Sequence, residues 1–95
     1  MSIALSHDQI EQEVESAARL ANQVKRPRGV HGILVESDKD AEGNPMLIVS
    51  VDVDDDPNPS DERLDELLDY ENELWSKITD GGLASWPLVR LAPRT

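Results

Sequence analysis

One segment governs what this chain can fold into. MLIVSVDV, residues 46–53, sets Leu47, Val49, Val51 and Val53 on one side of an extended backbone and opens the other side with Met46 and Ile48 before Ser50 and Asp52. Branched residues at a period of two specify a strand with one buried face. Apolar residues that begin the second face ask for a second cover. The strand then runs into DDDPNPS, residues 54–60, where acids and prolines end any ladder.

The remaining elements are read outward from this strand. Ser6 stands three residues before Gln9, the spacing of a capping box, with Leu5 and Ile10 placed as a hydrophobic staple. Ile10, Val14, Ala17, Ala18, Ala21 and Val24 follow as one helical stripe, which Pro27 and Gly29 terminate. Val30–Glu36 is a second branched run, with Ile33 and Val35 opposing Val30 and Leu34. The stretch SDKDAEGNP that joins it to Met46 is rich in turn formers, so the two runs are expected to form an antiparallel hairpin with a long loop. A second helix starts near residue 59, capped either by Asn58 with Pro59 or by Ser60. Its apolar side is read as Leu64, Leu67, Leu68, Leu74, Trp75 and Ile78, ending at Gly81–Gly82. SWPLVRLAP is a last strand, and Pro87 confines it to a sheet edge or delays its pairing. The order helix, strand, strand, helix, strand defines an α+β domain. A right-handed crossover gives a three-stranded sheet with both helices on one face. One domain is expected over 1–95, ordered from about 6 to 92.

Size and composition exclude whole classes of chemistry. A chain of 95 residues buries roughly 60–65% of its unfolded surface, too little to enclose a large catalytic cavity. There is no Phe and no Cys, so the core is aliphatic and thiol chemistry is excluded. MSIALSHDQIEQ lacks the basic start and apolar run of a signal peptide, and nothing approaches the ~20 apolar residues of a membrane span. A soluble cytoplasmic protein is expected. The net charge of −11 is concentrated in one block: residues 36–73 carry fifteen acids against Lys39 and Arg63, while residues 1–30 balance to zero and 74–95 sum to +2. Such a block repels nucleic acid and anionic membranes and draws in basic proteins.

Acids in sequence raise the question of a metal. A calcium loop needs oxygen ligands at alternate positions, Gly at the sixth and Glu at the twelfth. Begun at Asp52, the ligands are Asp52, Asp54, Asp56, Asn58 and Ser60, but Pro57 takes the glycine place and Arg63 the glutamate place. The loop with Asp38, Asp40, Glu42 and Gly43 meets Val49 where the Glu belongs, and reads as a turn. No metal site and no cofactor is therefore assigned; Asp52, Asp54, Asp56 and Asn58 are the candidates if an ion is held. His7 and His31 have no second His, Cys or nucleophile at ligand or triad spacing, so no catalytic residue is assigned. Lys25, Arg26 and Arg28 complement the carboxyl end of the first helix.

GNPMLIVSV and WPLVRLAP, separated by an acidic leucine-bearing helix, resemble a group of small uncharacterised bacterial proteins with a G-D/N-P strand and a W-P-x-V-R strand; the resemblance covers about residues 30–92. Members of that group often lie beside a gene for a helical HEPN-like protein, which implies a two-component, toxin-antitoxin-like partnership. The element order is also similar to the cytosolic domain of cation diffusion facilitators, which dimerises and can bind metal. VDVDDDPNPSDERLDE and LVRLAP lack the His residues of that family, so the dimeric architecture is what carries over. The expected function is a small acidic, non-enzymatic interaction module, either a homodimer or one subunit of a pair with a basic protein. Asp54, Asp55, Asp56, Asp61, Glu62, Asp65 and Glu66 would steer the partner, and Met46, Ile48 and Trp86 would form the buried contact. The alternatives are a divalent-metal-responsive domain and an acidic mimic of nucleic acid.

Overall fold

The alternation at residues 46–53 is realised as the middle strand of a three-stranded mixed sheet. The computed structural model describes residues 5–93 in the order α1 (His7–Asn22), β1 (Val30–Lys39), β2 (Pro45–Val53), α2 (Asp61–Thr79) and β3 (Trp86–Pro93). β2 pairs antiparallel with β1 and parallel with β3. Both helices cover one face of this α+β domain, α1 over β1 and α2 over β3, and they meet each other. Leu47, Val49, Val51 and Val53 point into the core between sheet and helices, all at 3% exposure or less.

α1 begins with both halves of the capping box: the Gln9 amide donates to Ser6 Oγ at 3.2 Å and the Ser6 amide to Gln9 Oε1 at 2.9 Å. Ala17 and Ala21 are fully buried, and their small side chains let the helix axis approach the sheet closely. Val14, Ala18, Leu20 and Val24 pack around them.

The hairpin is longer than its composition implied. Ser37, Asp38 and Lys39, read as loop, pair with Leu47, Met46 and Pro45. Asp40 makes this possible: its Oδ1 accepts the amides of Glu42 and Asn44, each at 2.9 Å, and Gly43 takes φ 84° to close the turn. At the other end of β1 the register shifts between Val30 and Gly32. This bulge turns Val30 onto the core side against Val53, where strict alternation from Ile33 had placed it opposite.

α2 is capped by Ser60, whose Oγ accepts the Arg63 amide at 3.1 Å. Its buried residues are Leu67, Tyr70, Leu74 and Ile78. Leu64, Leu68 and Trp75, expected on that side, are about half exposed. At 100° per residue they lie roughly a quarter turn from the buried line, which only Tyr70 completes. Beyond the helix, a Cβ on Gly81 would stand 2.5 Å from Leu20 Cδ1, so glycine permits the contact between the two helix ends. β3 pairs with β2 alone and from its first residue, which makes it an edge strand. No helix among the described residues is long and apolar enough to cross a membrane.

A long-range clamp ties α1 to the start of β3. The Glu13 carboxylate accepts the Ala84 amide at 2.7 Å and the Ser85 amide at 2.9 Å, satisfying two donors just before the strand begins. Glu13→Ala is expected to lower unfolding free energy by about 1.5–3 kcal/mol, measured by urea denaturation, since it leaves both amides without their charged acceptor. Tyr70 presents the opposite situation. Its hydroxyl is buried and meets no partner at full hydrogen-bond geometry among the described residues; burial raises its pKa, and the charge of the nearby Arg26, with a weak hydrogen bond from its guanidinium, only partly offsets the rise. Tyr70→Phe is expected to leave stability unchanged or raise it by up to about 1 kcal/mol, and a clear loss in the same assay would show that the hydroxyl is bonded.

Candidate functional site

The residues singled out for function fall at two ends of the sheet. At the carboxyl ends of β2 and β3, where the loop after β2 meets the first turn of α2, lies a crevice of about 460 Å³. Asp54, Asp55 and Asp56 form its rim, Val53, Leu64, Leu67 and Leu91 its apolar wall, and Arg28 and Arg63 its cations. Open α/β sheets take ligands at this kind of position. Three of its charged groups have partners just outside the crevice. His31 Nε2 stands 2.5 Å from Asp54 Oδ1, Asp56 Oδ1 accepts the Asn58 amide at 3.0 Å, and Arg63 pairs with Glu66 at 3.6 Å. Arg63 also lies over Gly29, whose φ of 86° and lack of a Cβ leave room for the guanidinium.

The four metal candidates diverge. Asp52 lies on the open face of the sheet beside Gly32 and Ala92, Asp54 turns to His31, and Asp56 closes its own turn onto Asn58. Among the described residues, no three His, Cys, Asp or Glu side chains come together as a metal site. His7 is paired with Glu11 one turn along α1, at 3.1 Å. Arg26 is bonded to the Asn22 side chain at 2.6 Å, and with Lys25 it borders a shallow groove opposite Glu66, Asp69 and Glu73. Glu66 is thereby turned towards the chain's own basic cluster, while Asp61, Glu62 and Asp65 remain exposed at the start of α2.

The apolar group is arranged on the open face, which no helix covers. The register sets Asp38, Met46 and Trp86 in one row, Glu36, Ile48 and Leu88 in the next, and Leu34, Ser50 and Arg90 in the third. Leu34, Trp86 and Leu88 are 58%, 43% and 41% exposed, and Ile48 is half-buried between them. Met46 differs: it is 7% exposed. The Trp86 indole donates from β3 to Asp40 Oδ2 at 3.3 Å, beyond β1, and so lies across β2 at the level of Met46. Met46 is thus covered within its own chain rather than offered for contact. From Met46 to Val53 the strand runs roughly 23 Å, so the aromatic end and the acidic end are separate surfaces.

A second apolar surface went unread in the sequence. Leu64, Leu68 and Trp75 line the outer flank of α2, with Glu71 between Leu68 and Trp75, and burial pushes the Glu71 carboxyl above its ordinary value. The opposite flank, with Glu73 and Lys77, faces the end of α1, so the apolar flank overhangs the free edge of β3. Glu13 and Asp40 were also missed as structural residues. For Asp40, the signal available was an Asp four residues before Asn44 across a Gly. Comparison of the chain with protein families, with curated proteins and with solved structures finds no match.

Asp40 makes the aromatic end sensitive to acid. The Asn44 amide holds its carboxyl below the ordinary 3.8, assisted by the Glu42 amide, the Asn44 side chain and the Trp86 indole, while partial desolvation opposes them. The folded value is the lower one, so the stabilisation is complete above 3.8 and is lost as pH falls through the depressed value. Asp40→Asn is expected to flatten the acid limb of Tm against pH and to raise Trp86 fluorescence sensitivity to quencher, since the indole loses its charged acceptor.

Proposed function

We propose that this chain works by binding another protein chain and performs no catalysis of its own. The observation that carries this reading is the placement of its large exposed hydrophobic side chains. Among the described residues, all six collect on two patches, Leu34, Trp86 and Leu88 on the open sheet face and Leu64, Leu68 and Trp75 on the flank of α2. Scattered apolar residues are ordinary on a soluble domain, whereas grouped ones that include two tryptophans have the make-up of interface centres. Charge adds the second part: the acidic block around Asp54, Asp55, Asp56, Asp61, Glu62 and Asp65 lies at the other end of the sheet from Trp86 and borders the Leu64 end of the helix patch, where it accelerates and orients encounter with a basic chain.

The bound chain is a second copy or a different subunit, and the resemblance to proteins found in two-component pairs supports the latter form as well. The carboxylates and imidazoles that a catalytic reading would draw on have structural employment in the Glu13 clamp, the Asp40 turn and the His31–Asp54 pair. Native mass spectrometry of the protein purified from its source at low salt is expected to find it with at least one further protein chain. A bare monomer that carries divalent ions would overturn the proposal in favour of a metal-responsive domain.

A further inference from the structure

Resting on the binding function just proposed, we infer that two copies of this chain join through the free edge of β3 and the apolar flank of α2 above it, forming a continuous six-stranded sheet. The two edges of the sheet are treated differently. β1 is interrupted by the bulge at Val30/Gly32 and ends in exposed Glu36, Asp38 and Lys39, devices that discourage another strand from adding. β3 lacks charge except at Arg90, and its backbone is paired on one side only. Its prolines stand at Pro87 and Pro93, leaving Leu88–Ala92 between them as an uninterrupted stretch.

That stretch is close to its own reverse. In Pro87-Leu88-Val89-Arg90-Leu91-Ala92-Pro93 the prolines lie equally far from Arg90, with Val89 and Leu91 on either side and Leu88 and Ala92 beyond. A two-fold axis through Arg90 would pair Val89 of one copy with Leu91 of the other and set proline against proline where the ladder stops. Self-complementarity of this kind is what an isologous interface requires and what a foreign strand does not. On the strand, the Arg90 side chains meet as a like-charge pair at the axis, and Arg90 Nε donates to Ser50 Oγ at 2.9 Å, which draws each guanidinium back over β2.

The helix flank shares the same axis. Leu64, Leu68, Glu71 and Trp75 are spaced four, three and four apart, the spacing of a helix–helix seam. Leu64 lines the crevice with Leu91 and Pro93, which puts it level with the end of β3. The midpoint of the seam, between Leu68 and Glu71, lies about 8 Å from Leu64 along the helix, and Arg90 lies about 7 Å from Ala92 along the strand. One axis therefore serves both elements, with Leu64 of one copy against Trp75 of the other and Leu68 against Glu71. Half exposed, the two leucines and Trp75 present on the order of 300 Å² per copy, and edge pairing adds backbone contact of similar extent, reaching the ~1,000 Å² in total that a specific interface needs.

The test is light scattering after size exclusion across micromolar concentrations of the purified chain, at low and high salt. Twice the chain mass is expected, with the dimer favoured by salt because each copy carries −11. Leu68→Asp and Trp75→Asp, at side chains exposed in the single chain, are expected to keep the far-UV circular dichroism and weaken dimerisation at least 100-fold. Glu71→Gln is expected to strengthen it, and Leu34→Asp on the open face to leave it unchanged. A monomer under all conditions would overturn the inference, as would a dimer that Leu34→Asp dissociates and Leu68→Asp does not. In the monomer case the binding function is decided separately: a different chain found with it in native mass spectrometry preserves that function, and no chain of either kind ends both.

Discussion

β2 is hydrogen-bonded on both sides by strands that run in opposite senses, and the rest of the molecule follows from that position. An antiparallel neighbour can be reached by a short turn, so β1 precedes β2 across residues 40–44. A parallel neighbour cannot, so the chain must cross back over the sheet, and α2 is that crossover. The helix lies over β3 and leaves space over β1, which α1 fills with alanines where it comes closest. Leu47, Val49 and Val51, at 0–1% exposure, are the residues on which all of these elements converge.

The sequence disclosed most of this, and its misreadings share a cause. Period-two alternation in β2, the capping box of α1 and the glycine stop after α2 are local signals, and each is realised where it was expected. The readings that changed depended on residues distant in the chain. Val30 faces the core because a bulge intervenes, and Met46 is buried at the level where Trp86 bonds Asp40 from the neighbouring strand. In α2 seven apolar positions compete for a side wide enough for four, and which four are chosen depends on where β3 lies. A wheel drawn from composition alone favours leucine and passes over Tyr70. The candidate site was legible in composition, but its division between two ends of the sheet was not, because a strand's length separates residues that its alternation groups together.

The acidic block is also less uniform than its charge implies. Asp40 and Asp56 each accept backbone amides in a turn, Glu13 outside the block does the same for β3, and Asp54 faces His31. Asp61 and Glu62 stand in the first turn of α2, where the helix dipole favours them. Carboxylates thus do much of the work of fastening loops that a chain without cysteine cannot fasten covalently. The remaining acids on the outer side of α2 contribute repulsion between copies of this chain at a distance, so self-association must be made by short-range contacts.

The mixed sheet also imposes an order in time. The hairpin of β1 and β2 closes over a short loop and has a low entropic cost, whereas β3 can pair only after α2 has been laid down between them. During that interval the second edge of β2 is bare, and it carries the most hydrophobic and β-prone run in the chain, Met46–Val51. Docking of β3 is then an act of protection as well as of assembly: a strand bracketed by Pro87 and Pro93 and charged at Arg90 replaces at the surface an edge of β2 that has neither proline nor charge over Met46–Val51.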